Sequence, residues 1–260
     1  MNVQRHAAAA VDPDLYLAGA NACFGHWGDA ATFDWVFRDD AELLFIHDAA
    51  GRAVASSGIT WRTLPDGRAV AIITGAWTLP QARGMGVFSA LIEATRLIAS
   101  EKNAVMLGFG RMDNTSGRRL QAAGSDLHPT FYCRSVGSPV QEQPLQILEP
   151  DAELFPTGFR YTPAAWRVQF LQRPHASIEC LGRRGEWAAI LERTPEFDRV
   201  HALSHIEALP LLAARAHAHG RRLFWFTTQP PTMECEWTDG FLGTFPPSFN
   251  LGEFQNGDRM

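Results

Sequence analysis

The 260-residue sequence predicts an α/β protein built on a mixed sheet, in two halves of about 130 residues each. Three observations carry this. Apolar runs of strand length recur between Gly- and Pro-bearing turns. From Val87 the apolar period changes to three and four residues, the signature of an amphipathic helix. After residue 156 the order of strands, helix and strand returns.

Leu43–Ile46 and Ala53–Ala55 flank a polar turn at Asp48–Gly51, which reads as a hairpin. Pro65-Asp66-Gly67 turns the chain into Ala69–Leu79, a strand closed by Pro80, which cannot continue a central ladder. Phe88, Leu91, Ile92, Thr95, Ile98 and Ala99 form one helical face, with Asn103 as the expected C-cap. Ala104–Phe109 is another strand. Asn114–Ala123 is a short helix, ended by Gly124. Gly137, Pro139, Pro144, Pro150 and Pro156 mark residues 139–156 as a linker. Ile178–Leu181, Trp187–Leu191, a helix at Ile206–His217 and a strand at Leu223–Thr227 follow. Gly51 lies 16 residues after Trp35, and Gly182 lies 16 after Trp166, a single matched spacing in favour of duplication.

Composition narrows the function. With 46% apolar and 20% charged residues the chain can bury a core. A net charge of −5 and a pI near 6.0 argue against a nucleic-acid partner. Cys23, Cys133, Cys180 and Cys235 stand singly, with no CxxC pair for zinc or redox work. The Ala7–Ala10 run is followed by Asp12-Pro13-Asp14, which is not a signal peptide. No apolar stretch approaches 18 residues, so no membrane partner is expected and the cytoplasm is the default location.

The chemistry concentrates at Trp77–Phe88. A strand enters a turn bearing Gly84 and Gly86, then passes straight into the helix. Glycines let consecutive backbone N–H groups face one anion, and the helix's first-turn amides and dipole add to the pull. This is the make-up of a pyrophosphate site. An ordinary strand-to-helix turn is the plain alternative. A Rossmann fingerprint fits less well, since Ser89 stands at its third Gly and three strands precede the motif.

The run Pro80–Gly86, with Arg83, Gly84, Met85 and Gly86 in order, resembles the acetyl-CoA loop of the GCN5-related N-acetyltransferases. That loop carries Arg or Gln, two free positions, Gly, one free position, then Gly or Ala; Phe88 departs from the last. Asn114 with Leu120 resembles the family's second motif, where Gln121 replaces its usual Tyr. The resemblance implies a GNAT acyl-CoA N-acyltransferase fold in two GNAT-like domains. Residues 1–138 would bind acyl-CoA and 157–260 would form a degenerate copy, which has no Arg-x-x-Gly-x-Gly loop. It further implies that the cleft between strands 69–79 and 104–109 takes the pantetheine arm. Thr78, Leu79, Arg83, Gly84, Met85, Gly86, Val87, Phe88, Ser89 and Asn114 would contact acetyl-CoA or another acyl-CoA, without a metal. The implied reaction is direct attack by a primary amine of a small molecule, such as an amino sugar, in a monomer or homodimer. An acyl-CoA-binding pseudo-enzyme, or a transferase for a longer acyl donor, is the alternative.

Proton transfer is the least legible step. Strand 69–79 has no carboxylate, so a base must come from elsewhere or through water. Asp126 and His128 read as solvated loop residues. Tyr132, on the run Phe131–Cys133, is the candidate general acid, with a packing role as its rival. His201 with His205 and His217 with His219 lack any metal-ligand pattern. No GxSxG elbow is present.

Overall fold

The structure is a computed structural model and describes residues 2–137, 140–246, 254 and 256–259. The chain divides into two units. Of the described residues, the first holds 2–127 and 242–246; the second holds 128–137, 140–241, 254 and 256–259. The expected domain boundary at Ser138–Pro139 lies outside the described residues.

In the first unit the elements run β1 (Gln4–Ala7), α1 (Pro13–Phe24), α2 (Ala30–Val36), β2 (Glu42–His47), β3 (Ala53–Thr63), β4 (Ala69–Thr78), α3 (Val87–Glu101), β5 (Val105–Arg111) and α4 (Thr115–Ala122). Strands β1 to β5 lie side by side in chain order. All pair antiparallel except β4 with β5, which are parallel across the α3 crossover. Helix α3 buries Leu91, Ile92, Thr95, Ile98 and Ala99 of the expected face, with Val87 in place of the half-buried Phe88 at its start. Its C-cap is Lys102, and Asn103 follows with φ +50°, the left-handed turn that Asn tolerates. Helix α1 starts where Asp12 accepts from the Asp14 N–H and Pro13 takes the first turn.

The second unit takes up β6 (Asp126–Ser135) from residue 128, then β7 (Gln146–Ile147), α5 (Pro163–Leu171), β8 (Ser177–Arg183), β9 (Trp187–Arg193), β10 (Phe197–Leu203), α6 (Leu209–Ala218), β11 (Arg222–Thr227) and β12 (Cys235–Phe245) up to Phe241. Its strand order is β6-β11-β10-β9-β8-β7. Strand β10 pairs antiparallel with β9 and parallel with β11, repeating the β3-β4-β5 pattern. Asp126 and His128 begin β6 and so belong to a strand, not to a loop. Within 140–156, read as linker, lie β7 and a 3-10 turn at Ala152–Leu154. The 16-residue match pairs unlike positions: Gly51 turns a hairpin at φ +78°, while Gly182 sits inside β8 and the corresponding turn uses Gly185.

A buried ionic cluster braces this unit. His201, fully buried on β10, accepts from Arg173 at Nδ1 (2.7 Å) and gives its Nε2 hydrogen to Glu192 (2.8 Å). Burial, with Arg173 and Arg199 nearby, pushes the imidazole down to about 4 against the pull of Glu192. Burial opposes the charge of Glu192, but the His201 hydrogen bond and the Arg199 charge overcome it and hold the carboxyl at about 2. Both shifts lie below the unfolded values, so the folded state binds fewer protons in acid. The His201 contribution is complete above about pH 6.5 and lost as pH falls towards 4; that of Glu192 is lost from about 4.5 towards 2. Chemical denaturation at pH 7 and pH 4.5 should show a loss of roughly 3 kcal/mol. His201→Gln should flatten the dependence between pH 6.5 and 4.5.

Candidate acyl-CoA cleft

The first unit contains a cleft of about 600 Å³ whose walls come from β4, β5, α1, α4 and the loop leading into α3. It exists because β4 and β5 part company. Their parallel ladder runs from Val70–Val105 to Ile73–Gly108, yet β4 continues to Thr78 and β5 to Arg111. The unpaired ends leave main-chain groups facing the gap.

Strand β4 also carries a bulge. Trp77 pairs with Ser56 and Thr74 pairs with Gly58, so Gly75 and Ala76 stand opposite Ser57 alone. Gly75 adopts φ +58°, and its carbonyl accepts a 2.5 Å hydrogen bond from the Tyr16 hydroxyl on α1. A Cβ at Gly75 would stand 2.2 Å from that hydroxyl oxygen. Tyr16 is fully buried among Trp27, Phe33, Phe37 and Trp77. Burial pushes its phenol far above the usual range, so it holds its proton and pins the bulge.

At the mouth of the cleft, Gly84 and Gly86 both have φ +78°, and nothing stands within 4 Å of where a Cβ on either would lie. The loop therefore offers bare backbone. Gly86 is the N-cap of α3, and the first helical bond runs from the Ala90 N–H to its carbonyl (3.1 Å). The amides of Val87, Phe88 and Ser89 thus have no acceptor within the helix. Arg83 Nε donates to the Thr78 carbonyl (3.3 Å), tying the loop to the strand end. Asn114 caps α4 by accepting from the Ser116 N–H (3.2 Å), and Arg119 adds a second cation to the wall. An anion at a helix start flanked by two guanidiniums is well matched to this cradle.

The chain matches a GCN5-related N-acetyltransferase from Anabaena variabilis with a TM-score of 0.63 at 13% identity, over 93% of this chain and 72% of that one. A counterpart from Sphaerobacter thermophilus gives 0.56 at 14% identity, over 97% and 96%. A tandem GNAT protein from the clavulanic acid biosynthesis pathway gives 0.58 at 13% identity, over 95% and 100%. No protein-family model and no curated protein matches the sequence. The fold is that of the GCN5-related N-acetyltransferases.

On this N-acetyltransferase fold the cleft gathers most of the residues picked out from sequence: Thr78, Arg83, Gly84, Gly86, Val87, Phe88, Ser89 and Asn114 all line it. Leu79 and Met85 do not. The Leu79 N–H already donates to the Val54 carbonyl (2.9 Å), so it is not available to a pantetheine arm. Because successive residues of an antiparallel strand alternate in direction, that bond leaves the Thr78 N–H aimed away from β3, across the gap. Met85 is 64% exposed. Tyr132 lies on β6 in the second unit, opposite Phe226, with ring centroids 5.6 Å apart, and is not among the lining residues. Sequence reasoning missed Tyr16, Cys23, Phe24, Gly75 and Arg119. Only the Gly in a strand run at position 75 carried a signal, since such a Gly often marks a bulge. Among the described residues no group of three or more His, Cys, Asp or Glu could hold a metal, and no helix is long and apolar enough to cross a membrane.

Proposed function

We propose that the chain is an acyl-CoA-dependent N-acyltransferase, moving an acetyl or other acyl group to a primary amine of a small molecule by direct attack. One observation carries the reading: a bare anion-binding loop and a bulged, splayed strand share one cleft. The Gly84–Ser89 amides with Arg83 and Arg119 suit the phosphates of CoA. The gap between β4 and β5 suits the pantetheine arm as an added strand. A backbone N–H at the bulge, or that of Thr78, suits the carbonyl oxygen on which negative charge grows during attack. One such donor is worth about 3–4 kcal/mol of barrier.

The test is thiol release from acetyl-CoA and longer acyl-CoAs against a panel of amines, amino sugars included, beside calorimetry with CoA. Release with an amine and one CoA per chain support the reading. CoA binding without release from any donor would favour an acyl-CoA-binding protein. Two CoA per chain would show that the second unit keeps a site; in place of the Gly loop it has Ser204–Pro210, with Glu207 in the first turn and Pro210 removing an amide.

Delivery of a proton to the leaving thiolate by Tyr132 belongs to the same proposal. Tyr132→Phe keeps the ring against Phe226 and deletes only the hydroxyl. If the role holds, turnover should fall about 10²- to 10⁴-fold with CoA affinity unchanged. Retention of more than about half the turnover would leave Tyr132 a packing residue.

A further inference from the structure

The second unit contains a cleft of its own, about 410 Å³ in volume, a size that takes small organic ligands. It opens for the same reason as the first. The parallel ladder of β10 with β11 runs only from Phe197–Arg222 to Arg199–Phe224, yet β10 continues to Leu203 and β11 to Thr227. Just past the end of that ladder β10 bulges. Val200 pairs with Leu191 and Ala202 with Ile190, which leaves His201 as the extra residue. Each unit thus has a parted ladder followed by a bulge.

The two clefts differ in charge. Arg83 and Arg119 line the first, with no carboxylate among its described lining residues. The second reverses this: Glu207 lines it, and no Lys or Arg does. Glu207 is exposed, and its carboxylate has no hydrogen-bond or salt-bridge partner among the described residues. The other titratable lining group is His205, whose Nδ1 is paired with the Ser204 hydroxyl (2.9 Å). The buried part of the lining is an apolar wall of Val200, Leu203, Leu209, Trp225, Phe226 and Phe254.

An anion gains nothing here, since Glu207 repels it and Pro210 removes one of the amides a helix start would offer. A metal ion needs several ligands, and among the described residues no three His, Cys, Asp or Glu gather to hold one. A primary ammonium brings three donors and a positive charge, which match an unpaired carboxylate. An apolar ring attached to it brings a body that the wall can cover. We propose that the cleft of the second unit binds a small organic cation, a primary ammonium on an apolar, ring-sized body. This binding needs neither CoA nor turnover, so it stands apart from the acyltransferase reading of the first unit.

Calorimetry on the full chain at pH 7 tests this with 2-phenylethylamine, a cation at that pH, and 2-phenylethanol, its uncharged counterpart. The amine should bind one per chain and, at low salt, at least about fivefold tighter than the alcohol, the worth of one charge-assisted pair. In 1 M salt, where charges are screened beyond about 3 Å, the preference should narrow to under about twofold. Glu207→Gln should remove the preference and leave alcohol binding as it was. A general pull of cations towards a chain of net charge −5 would instead survive that change. Gln229→Lys places a cation at the cleft and should weaken amine binding at least about threefold. That residue is held by its backbone, whose N–H donates to Thr227 Oγ1 (3.0 Å) and whose carbonyl accepts from it (3.1 Å). Glu207 and Gln229 are both exposed, so thermal melts of the variants should match the wild type. Saturating CoA should leave amine affinity unchanged within about threefold. A preference below fivefold in the wild type, or one that survives Glu207→Gln, would overturn the proposal. So would displacement of the amine by CoA, which would place it in the first cleft.

Discussion

Gly75→Ala should lower turnover about 10²- to 10³-fold while leaving CoA affinity within about threefold, the loss of one well-placed oxyanion donor. The methyl group has two costs. At φ +58° a non-Gly residue is strained by about 1–2 kcal/mol. The new Cβ would also stand 2.2 Å from the Tyr16 oxygen, in a fully buried aromatic cluster with no room to withdraw. The bulge must then move, and with it the amides that face the gap. Tyr16→Phe removes the hydroxyl that pins the Gly75 carbonyl, so Tyr16 acts as a positioning residue. In the double variant the clash is relieved, and the two losses should combine to less than their sum by 1 kcal/mol or more, the behaviour of residues in contact. Steady-state kinetics with parallel calorimetry reads all three variants. Unchanged kcat in Gly75→Ala would show that the bulge does not position the reacting carbonyl.

Gly86→Asp should weaken CoA binding at least tenfold, about 1.4 kcal/mol, with little change in thermal stability. The reason is competition. Gly86 is the N-cap of α3, and Asp is a preferred N-cap because its carboxylate accepts from the amides two and three residues on. Here those are the amides of Phe88 and Ser89, the same groups read as holding the pyrophosphate. The helix would gain a cap as the substrate lost its site, and the new negative charge would repel the phosphates. The strain of φ +78° offsets the stabilising cap. Gly86→Ala carries that strain without the charge and separates the two effects. Equal CoA affinity in wild type and Gly86→Asp, measured by calorimetry, would remove the loop from the binding site.

The two variants mark the line between what was legible in the sequence and what was not. The loop at 83–89 could be read directly, because everything that makes it lies within seven residues: two glycines for left-handed backbone, then an apolar face at helical period. The hairpin turns at Gly51 and Gly67, most of the buried face of α3 and the existence of α4 were legible on the same local grounds. Helix α1 escaped notice although Asp12 and Pro13 signal its start. Its apolar residues do not keep to one face: Leu15 and Phe24 are exposed while Tyr16 and Leu17 are buried. Strand β10 was hidden too, since the polar Asp198 and His201 interrupt its apolar pattern and both are buried. They are inside because Arg215 and Arg221 meet the first and Arg173 and Glu192 meet the second, partners distant in sequence.

By itself, then, the sequence determined where an anion could be held, because backbone conformation and helix polarity are properties of a short segment. Only the tertiary structure decided what stands around that anion. A bulge is a mismatch of register between two strands, and no single strand contains it. The Tyr16 hydroxyl reaches the Gly75 carbonyl across 59 residues of chain, and the thiol of Cys23 reaches the Thr78 carbonyl across 55. Which carbonyls remain free to receive a substrate depends on those contacts. The polar lining of the cleft was therefore fixed only when distant parts of the chain had met.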